Sequence, residues 1–528
     1  MKNYSLTCVF LIVCLVGGLS FVSTTFFSLA EASTSVNSMI ITSDTTWTKA
    51  NSPYTLNGPI AVANGATLAI EPGVAVNLGT YYLQVNGTLR ARGSSADKIT
   101  FTSMATEDLF QISFTDGSTS WNEQADSGSI IENAIINASI SVSGVSPKIS
   151  NNNITDNTAG MMNTNNGIYI ESGSPIVTNN YIRGAISIDG EGSSLISNNI
   201  ITGGMGIYKG SHVISNNEIS GGSSYFWIGR SFERDYDVVV VGSGSTVISG
   251  NKIHGNTLGI GSYEHTQVNA IISNNVIYGC GTGISLGTSD GGTLTIKGNL
   301  ITNNTGNGIE ASGKILQPIE GNLITNNGIG IRISPGAQVT VQKNTIANNS
   351  IGISTGSDLA TISNNNIQNI KYNVQLQQGT SKDINATDNW WGTTDTQLIS
   401  QSIFDNKNDY NLGKVNFIPF LTAPNPDAPA ITMVPSSKPA SNPSTSSPSS
   451  SPSPDSNSSS TPSSSPVPSD NSTIQEPMGQ TDNNARPQLD IQEIVIATLV
   501  GLVIALSIVI IVMHRKIQKK RQEQNKFS

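Results

Sequence analysis

One pattern constrains this chain more than any other: an apolar residue, two residues, Asn, one residue and another apolar residue, recurring along the middle of the sequence. It occurs at Ile130-Ile131-Glu132-Asn133-Ala134-Ile135, then around Asn152, Asn180, Asn199, Asn217, Asn251, Asn275, Asn299, Asn322, Asn344 and Asn365, and it ends at Asn389. The mean interval is about 23 residues, and a second short apolar alternation follows each Asn, as in Gly259-Ile260, Gly283-Ile284-Ser285-Leu286 and Gly330-Ile331-Arg332-Ile333. A unit this short cannot bury its own apolar face. Stacked units can: coils about 4.8 Å apart pair each strand with its equivalents above and below. A turn Asn in every coil tolerates left-handed backbone and hydrogen-bonds to the Asn of the next coil, making a ladder.

Composition agrees. Charged residues are 12% of the chain, and Gly (51) and Asn (56) each make up about a tenth. Long surface helices need Glu, Lys, Arg and Ala, whereas Gly and Asn favour turns, so extensive helix in the repeat region is excluded. Net charge is −9, with the positive charge concentrated at residues 515–528, which argues against a nucleic-acid partner.

The Ile-Ser-Asn-Asn-x-Ile units resemble the right-handed single-stranded parallel β-helix repeats of the pectate-lyase-like superfamily, including its carbohydrate-binding and sugar-hydrolysing repeat domains. The resemblance covers about 130–392. Ala66–Val74, Leu83–Leu89 and Ile99–Ser103 look like opening coils, and Asp388-Asn389-Trp390-Trp391-Gly392 with Phe417–Phe420 is similar to the closing segment of archaeal and bacterial cell-surface members. Paired Trp suit a cap over the last hydrophobic layer, though they could also stack on sugar. The expected fold class is all-β, a parallel β-helix followed by a disordered stalk and one transmembrane helix.

The flanks complete the layout. Lys2, the apolar run Leu6–Leu19 and Ala30-Glu31-Ala32 read as a secretory signal peptide over 1–32, with a first transmembrane anchor as the alternative, since the apolar stretch continues weakly through Phe27. A cap and first coils are expected over 33–129, repeats over 130–392 and a C-terminal cap over 393–422. A Pro/Ser-rich stalk spans 423–490; its 65 residues from 423 to 487 could reach about 200 Å at about 3.1 Å each. A transmembrane helix is expected over 491–513, since Ile494–Met513 is long and apolar enough to span about 30 Å, and a basic cytoplasmic tail over 514–528. The localisation implied is the plasma membrane, single-pass, with the N-terminal part outside and the C-terminus cytoplasmic.

The superfamily's lyases need Ca²⁺-binding carboxylates with an Arg or Lys base, and its hydrolases need two carboxylates about 5 to 10 Å apart. Neither set is recognisable in the repeats, where Glu171, Glu310, Glu320 and Asp358 are scattered singly. The interval Asn217 to Asn251 is 34 residues, with an excess that concentrates aromatics and both charge signs at 225–237. If this excess follows the second strand of its coil, it stacks beside Tyr263-Glu264-His265 and Thr288-Ser289-Asp290 of the next two coils. The expected ligand-binding patch is then Trp227, Arg230, Glu233, Arg234, Asp235, Tyr236, Asp237, Tyr263, Glu264, His265 and Asp290, with Glu233, Asp235 and Glu264 as acid/base candidates in an enzyme. The alternative is an insertion that merely covers the groove.

No metal or cofactor is expected. Some related β-helix proteins of nitrous-oxide reductase maturation bind copper, but His212, His254 and His265 are not at equivalent coil positions, and Cys280 reads as buried. Sequons occur at Asn86, Asn137, Asn153, Asn303, Asn348, Asn385, Asn457 and Asn471. The functional expectation is a surface β-helix that binds polysaccharide or envelope glycan, or has a structural or adhesive role. The alternative is an extracellular polysaccharide lyase or glycoside hydrolase.

Overall fold

The computed structural model describes residues 33–105, 110–155, 166–221, 225–228, 231–234, 237–262, 268–288 and 292–431. Within them, short strands fall into three parallel sheets of 15, 16 and 16 strands, here called A, B and C. Every third strand joins the same sheet, so the chain visits A, B and C in turn and moves one coil along the axis. Two neighbouring coils show the rule: Ile324 pairs with Ile346 in sheet A, Ile331 with Ile353 in sheet B, and Val341 with Ile362 in sheet C. These six side chains are fully buried. Both faces of a parallel ladder's neighbours are thus served at once, backbone by backbone and Ile on Ile, along one continuous apolar interior.

The corner from sheet C to sheet A carries the Asn pair. Its first residue is left-handed, as at Asn179, Asn198, Asn216, Asn274 and Asn364, with φ of 56 to 58°. The second points inward: Asn275 Nδ2 donates to Ile248 O at 2.9 Å and to Asn299 Oδ1 at 3.0 Å, and its backbone N donates to the same Oδ1. The buried ladder runs from Asn152 to Asn389. Asn133, which the repeat spacing places first, instead occupies the left-handed position of its coil with φ 52°, and the ladder starts one coil later, where Asn152 Oδ1 accepts from Ala134 N.

A second ladder lies at the corner from sheet A to sheet B. Asn304, Asn327, Asn349 and Asn369 link Nδ2 to Oδ1 at 2.9 to 3.0 Å, and the backbone N of Cys280 donates to Asn304 Oδ1 at 3.0 Å. Cys280 therefore sits at the head of this ladder, buried, with its thiol pKa pushed up mainly by burial.

At the far end Trp391 is buried, with Phe417 edge-on at 6.2 Å and Phe420 beyond it. A six-residue helix, Thr396–Gln401, is capped by Asp395, whose carboxylate accepts from the backbone of Gln397 and Leu398. Among the described residues no helix is long and apolar enough to cross a membrane. The leader, the Pro/Ser-rich stretch beyond residue 431, Ile494–Met513 and the basic tail all lie outside the described residues.

Candidate functional site

The long interval after Asn217 contains an antiparallel hairpin, Tyr225–Ile228 against Ser231–Arg234, with Trp227 opposite Phe232 and Phe226 opposite Glu233. Its position differs from the expected one. It follows the sheet A strand Glu218–Ser220 and precedes the sheet B strand Asp237–Val241, so it leaves the coil at the A-to-B corner. Asp237 lies in that B strand, in register with Leu258. Residues 263–267 and 289–291 instead connect sheet B to sheet C. Residue spacing from the ladder Asn does not distinguish one corner of a coil from the next. The strand order shows that its two halves enter at opposite ends of sheet B. Of the predicted residues, the backbones of Trp227, Glu233, Arg234 and Asp237 are described; Arg230, Asp235, Tyr236, Tyr263, Glu264, His265 and Asp290 lie outside the described residues.

Along sheet B, bounded by those two corners, one register column alternates with the inward Ile rows; its Ser141 and Ser187 are buried at 8% and 3% exposure. Ser113, Ser141, Tyr169, Ser187 and Gly206 follow one another in register, then Val240, Gly261 and Ser285. Ser113 and Ser141 hydroxyls are 2.8 Å apart. Tyr169 is the one large side chain in the first five rows. Its ring stacks on Phe110 at 5.1 Å, and its hydroxyl donates to Asp189 Oδ2 at 2.8 Å. Asp189 follows the next strand of sheet B, and its other oxygen, Oδ1, is buried with no hydrogen-bond partner. Burial pushes the Asp189 pKa up; the Tyr169 hydrogen bond opposes this, the Glu171 charge adds to it and Lys209 opposes it. The Tyr169 pKa is raised by burial and by the carboxylate it faces. A half-buried carboxyl with an unsatisfied oxygen beside an aromatic platform is a place where a ligand hydroxyl gains a hydrogen bond that the protein does not supply.

The scattered acids flagged in the sequence are mostly paired. Glu310 faces Arg332 at 3.8 Å, Glu320 meets Lys297 at 2.7 Å, and Asp358 meets Lys382 at 2.7 Å. Nothing in the sequence pattern singled out Tyr169 and Asp189, which are 20 residues apart and meet only because one coil separates them. A groove of about 640 Å³ lies elsewhere, on sheet A, between Val276, Leu300 and Leu323 and the tail Pro426–Ala430. Among the described residues no three His, Cys, Asp or Glu side chains converge as metal ligands would.

The family comparison agrees on the fold. Residues 166–315 match the family described as the right-handed beta helix region. Protein bark beetle of Drosophila melanogaster is 32% identical over 158 residues, 29% of this chain, and the match spans only 5% of that protein's length. Among solved structures, the A-module of the Azotobacter vinelandii mannuronan C-5 epimerase AlgE4 aligns at 12% identity over 68% of this chain and 91% of its own, with a TM-score of 0.34. The periplasmic alginate epimerase AlgG aligns at 12% identity over 69% and 77%, with a TM-score of 0.25. Three stacked parallel sheets and the match over residues 166–315 together make the described body of this chain a right-handed parallel β-helix.

Proposed function

We propose that this protein is a membrane-anchored surface β-helix that binds glycan along the outer face of sheet B, between the aromatic hairpin and the B-to-C corner. The observation that carries the reading is the Tyr169–Asp189 pair. Its buried Oδ1 has no hydrogen-bond partner and is the acceptor that a sugar hydroxyl reaching it would satisfy, and the Phe110–Tyr169 stack offers an apolar surface to a pyranose face. The next two rows hold the small residues Ser187 and Gly206, both buried. The hairpin enters the sheet at the Val240 row, three coil steps or about 14 Å from Tyr169. Anchoring rests on the sequence of Ile494–Met513 and the basic residues after it. The test is a polysaccharide array probed with the full-length protein in detergent. Binding to at least one glycan, lost in Tyr169→Ala, supports the reading; if Tyr169→Ala abolishes the binding of no glycan on the array, the reading is refuted.

A second reading, polysaccharide cleavage, draws on Glu171, whose charge acts on Asp189 strongly enough to help raise its pKa. Two neighbouring carboxyls are the raw material of a general acid and its partner. Release of reducing or unsaturated ends by the protein, abolished by Asp189→Asn or Glu171→Gln, would establish it.

A further inference from the structure

The outer face of sheet C carries a second regular array, remote from Tyr169 and Asp189 in the coil. Ile176, Leu195, Val213, Val247 and Ile271 occupy equivalent outward positions in five successive coils, in unbroken register. Leu195, Val213 and Ile271 are 38%, 40% and 46% exposed. Two residues further along each strand stands a hydroxyl side chain, Thr178 in the first row and Ser in the other four. The result is two parallel columns, one apolar and one of hydroxyls, repeating at about 4.8 Å, with no charge in any of the five rows.

Both ends of the array are marked by charge. Lys148 precedes Ile176, and Lys297 follows Ser273. Both lysines are already paired, with Glu123 at 2.8 Å and Glu320 at 2.7 Å. On the coils before the array the protein covers this face itself. The connection between Ile112–Phe114 and Ile130–Glu132 lays Trp121 beside Lys148, at 5.3 Å from the ammonium to the ring centroid. Beyond Lys148, among the described residues, Leu195, Val213 and Ile271 of the apolar column stand exposed.

Size decides what fits there. Five rows at about 4.8 Å and two columns about 7 Å apart give roughly 170 Å². A stable interface buries about 800 Å² per partner, so a second copy of this chain is poorly served by this array alone. A thin extended polymer is better matched. We infer that sheet C binds a neutral, unbranched polysaccharide lying along the rod axis. The C–H faces of successive pyranoses cover the apolar column, and their hydroxyls exchange hydrogen bonds with the Ser/Thr column. An acidic polymer is disfavoured, because the five rows offer its charges no partner.

The experiment is co-sedimentation of the full-length protein in detergent with insoluble cellulose, chitin and mannan, alongside analytical ultracentrifugation. The expected result is retention on at least one polymer, reduced about tenfold by Val213→Lys and by Leu195→Lys, with the melting temperature unchanged because both positions point outward. Tyr169→Ala should leave this retention intact, which separates the two faces. Failure of the wild-type protein to bind any of the three polymers overturns the inference. So does retention insensitive to both lysines, or a dimer that Val213→Lys converts to monomer, which would make this face an interface between copies.

Discussion

Asn217 Nδ2 donates to Asn251 Oδ1 at 3.0 Å, and the two residues are joined by the longest excursion between neighbouring ladder members. Its geometry is the same as that of Asn275 and Asn299, which are 24 residues apart. The ladder therefore crosses the hairpin as if it were absent. Deleting 222–234 leaves Gly221-Asp235-Tyr236 between Ser220 and Asp237, a three-residue connection like Gly255-Asn256-Thr257 in the next coil. The shortened chain should keep its β-rich circular dichroism and melt within a few degrees of the parent, since shortening a surface loop changes closure entropy only modestly. Collapse of the fold would make the hairpin a structural element of the rod.

The two Asn of each corner should respond oppositely to substitution. Asn274 is needed for its left-handed φ of 56°, and Asn275 for its side chain. Asn274→Gly should be neutral within about 0.5 kcal/mol, and Asn274→Val should cost about 1–2 kcal/mol for the strained backbone. Asn275→Ala removes four hydrogen bonds to Asn251, Asn299 and Ile248 in a buried site, and should cost about 3–5 kcal/mol. Chemical denaturation of the three variants gives the order directly.

That division of labour explains what the sequence disclosed. The Asn spacing is legible because every coil needs a left-handed residue and an amide at one corner, so the coil count and the apolar interior follow from it. The second ladder was equally present as Asn303-Asn304, Asn326-Asn327 and Asn348-Asn349, but it spans few coils and its signal is diluted in an Asn-rich chain. The hairpin's corner was not legible, because spacing between ladder Asn fixes the length of a coil and not where in the coil extra residues leave it. Tyr169 and Asp189 were invisible for another reason: their contact depends on register across one coil, and neither belongs to a motif.

His212 gives the rod a pH dependence. It is buried at 1% exposure; Nδ1 accepts from Ser194 N at 3.1 Å, and Nε2 donates to Lys209 O at 2.7 Å, so the neutral ring satisfies both partners. Burial lowers its pKa. The unfolded chain, with an ordinary value near 6.5, then binds the proton more readily, so stability is full at higher pH and falls as pH drops below about 6.5. The melting temperature should decline from pH 7.5 to pH 5. His212→Gln should have a lower melting temperature but a shallower decline over that range.

Asp189 predicts the opposite sign and links stability to binding. Its pKa is raised mainly by burial, so the folded chain holds the proton more tightly than the unfolded one. The penalty is absent below the ordinary carboxylate range near 4 and grows as pH rises through it. Asn at this position still accepts from the Tyr169 hydroxyl but carries no charge to bury. Asp189→Asn should therefore melt higher than the parent at pH 7, by ~2–4 °C, and this gain should vanish at pH 3. The same variant should lose glycan binding, because the amide replaces the acceptor Oδ1 with a donor. A residue whose removal strengthens the fold and weakens a ligand is being kept for the ligand. If Asp189→Asn is both less stable at pH 7 and fully competent to bind, the pair with Tyr169 is a structural clasp and the glycan site must be sought nearer the hairpin.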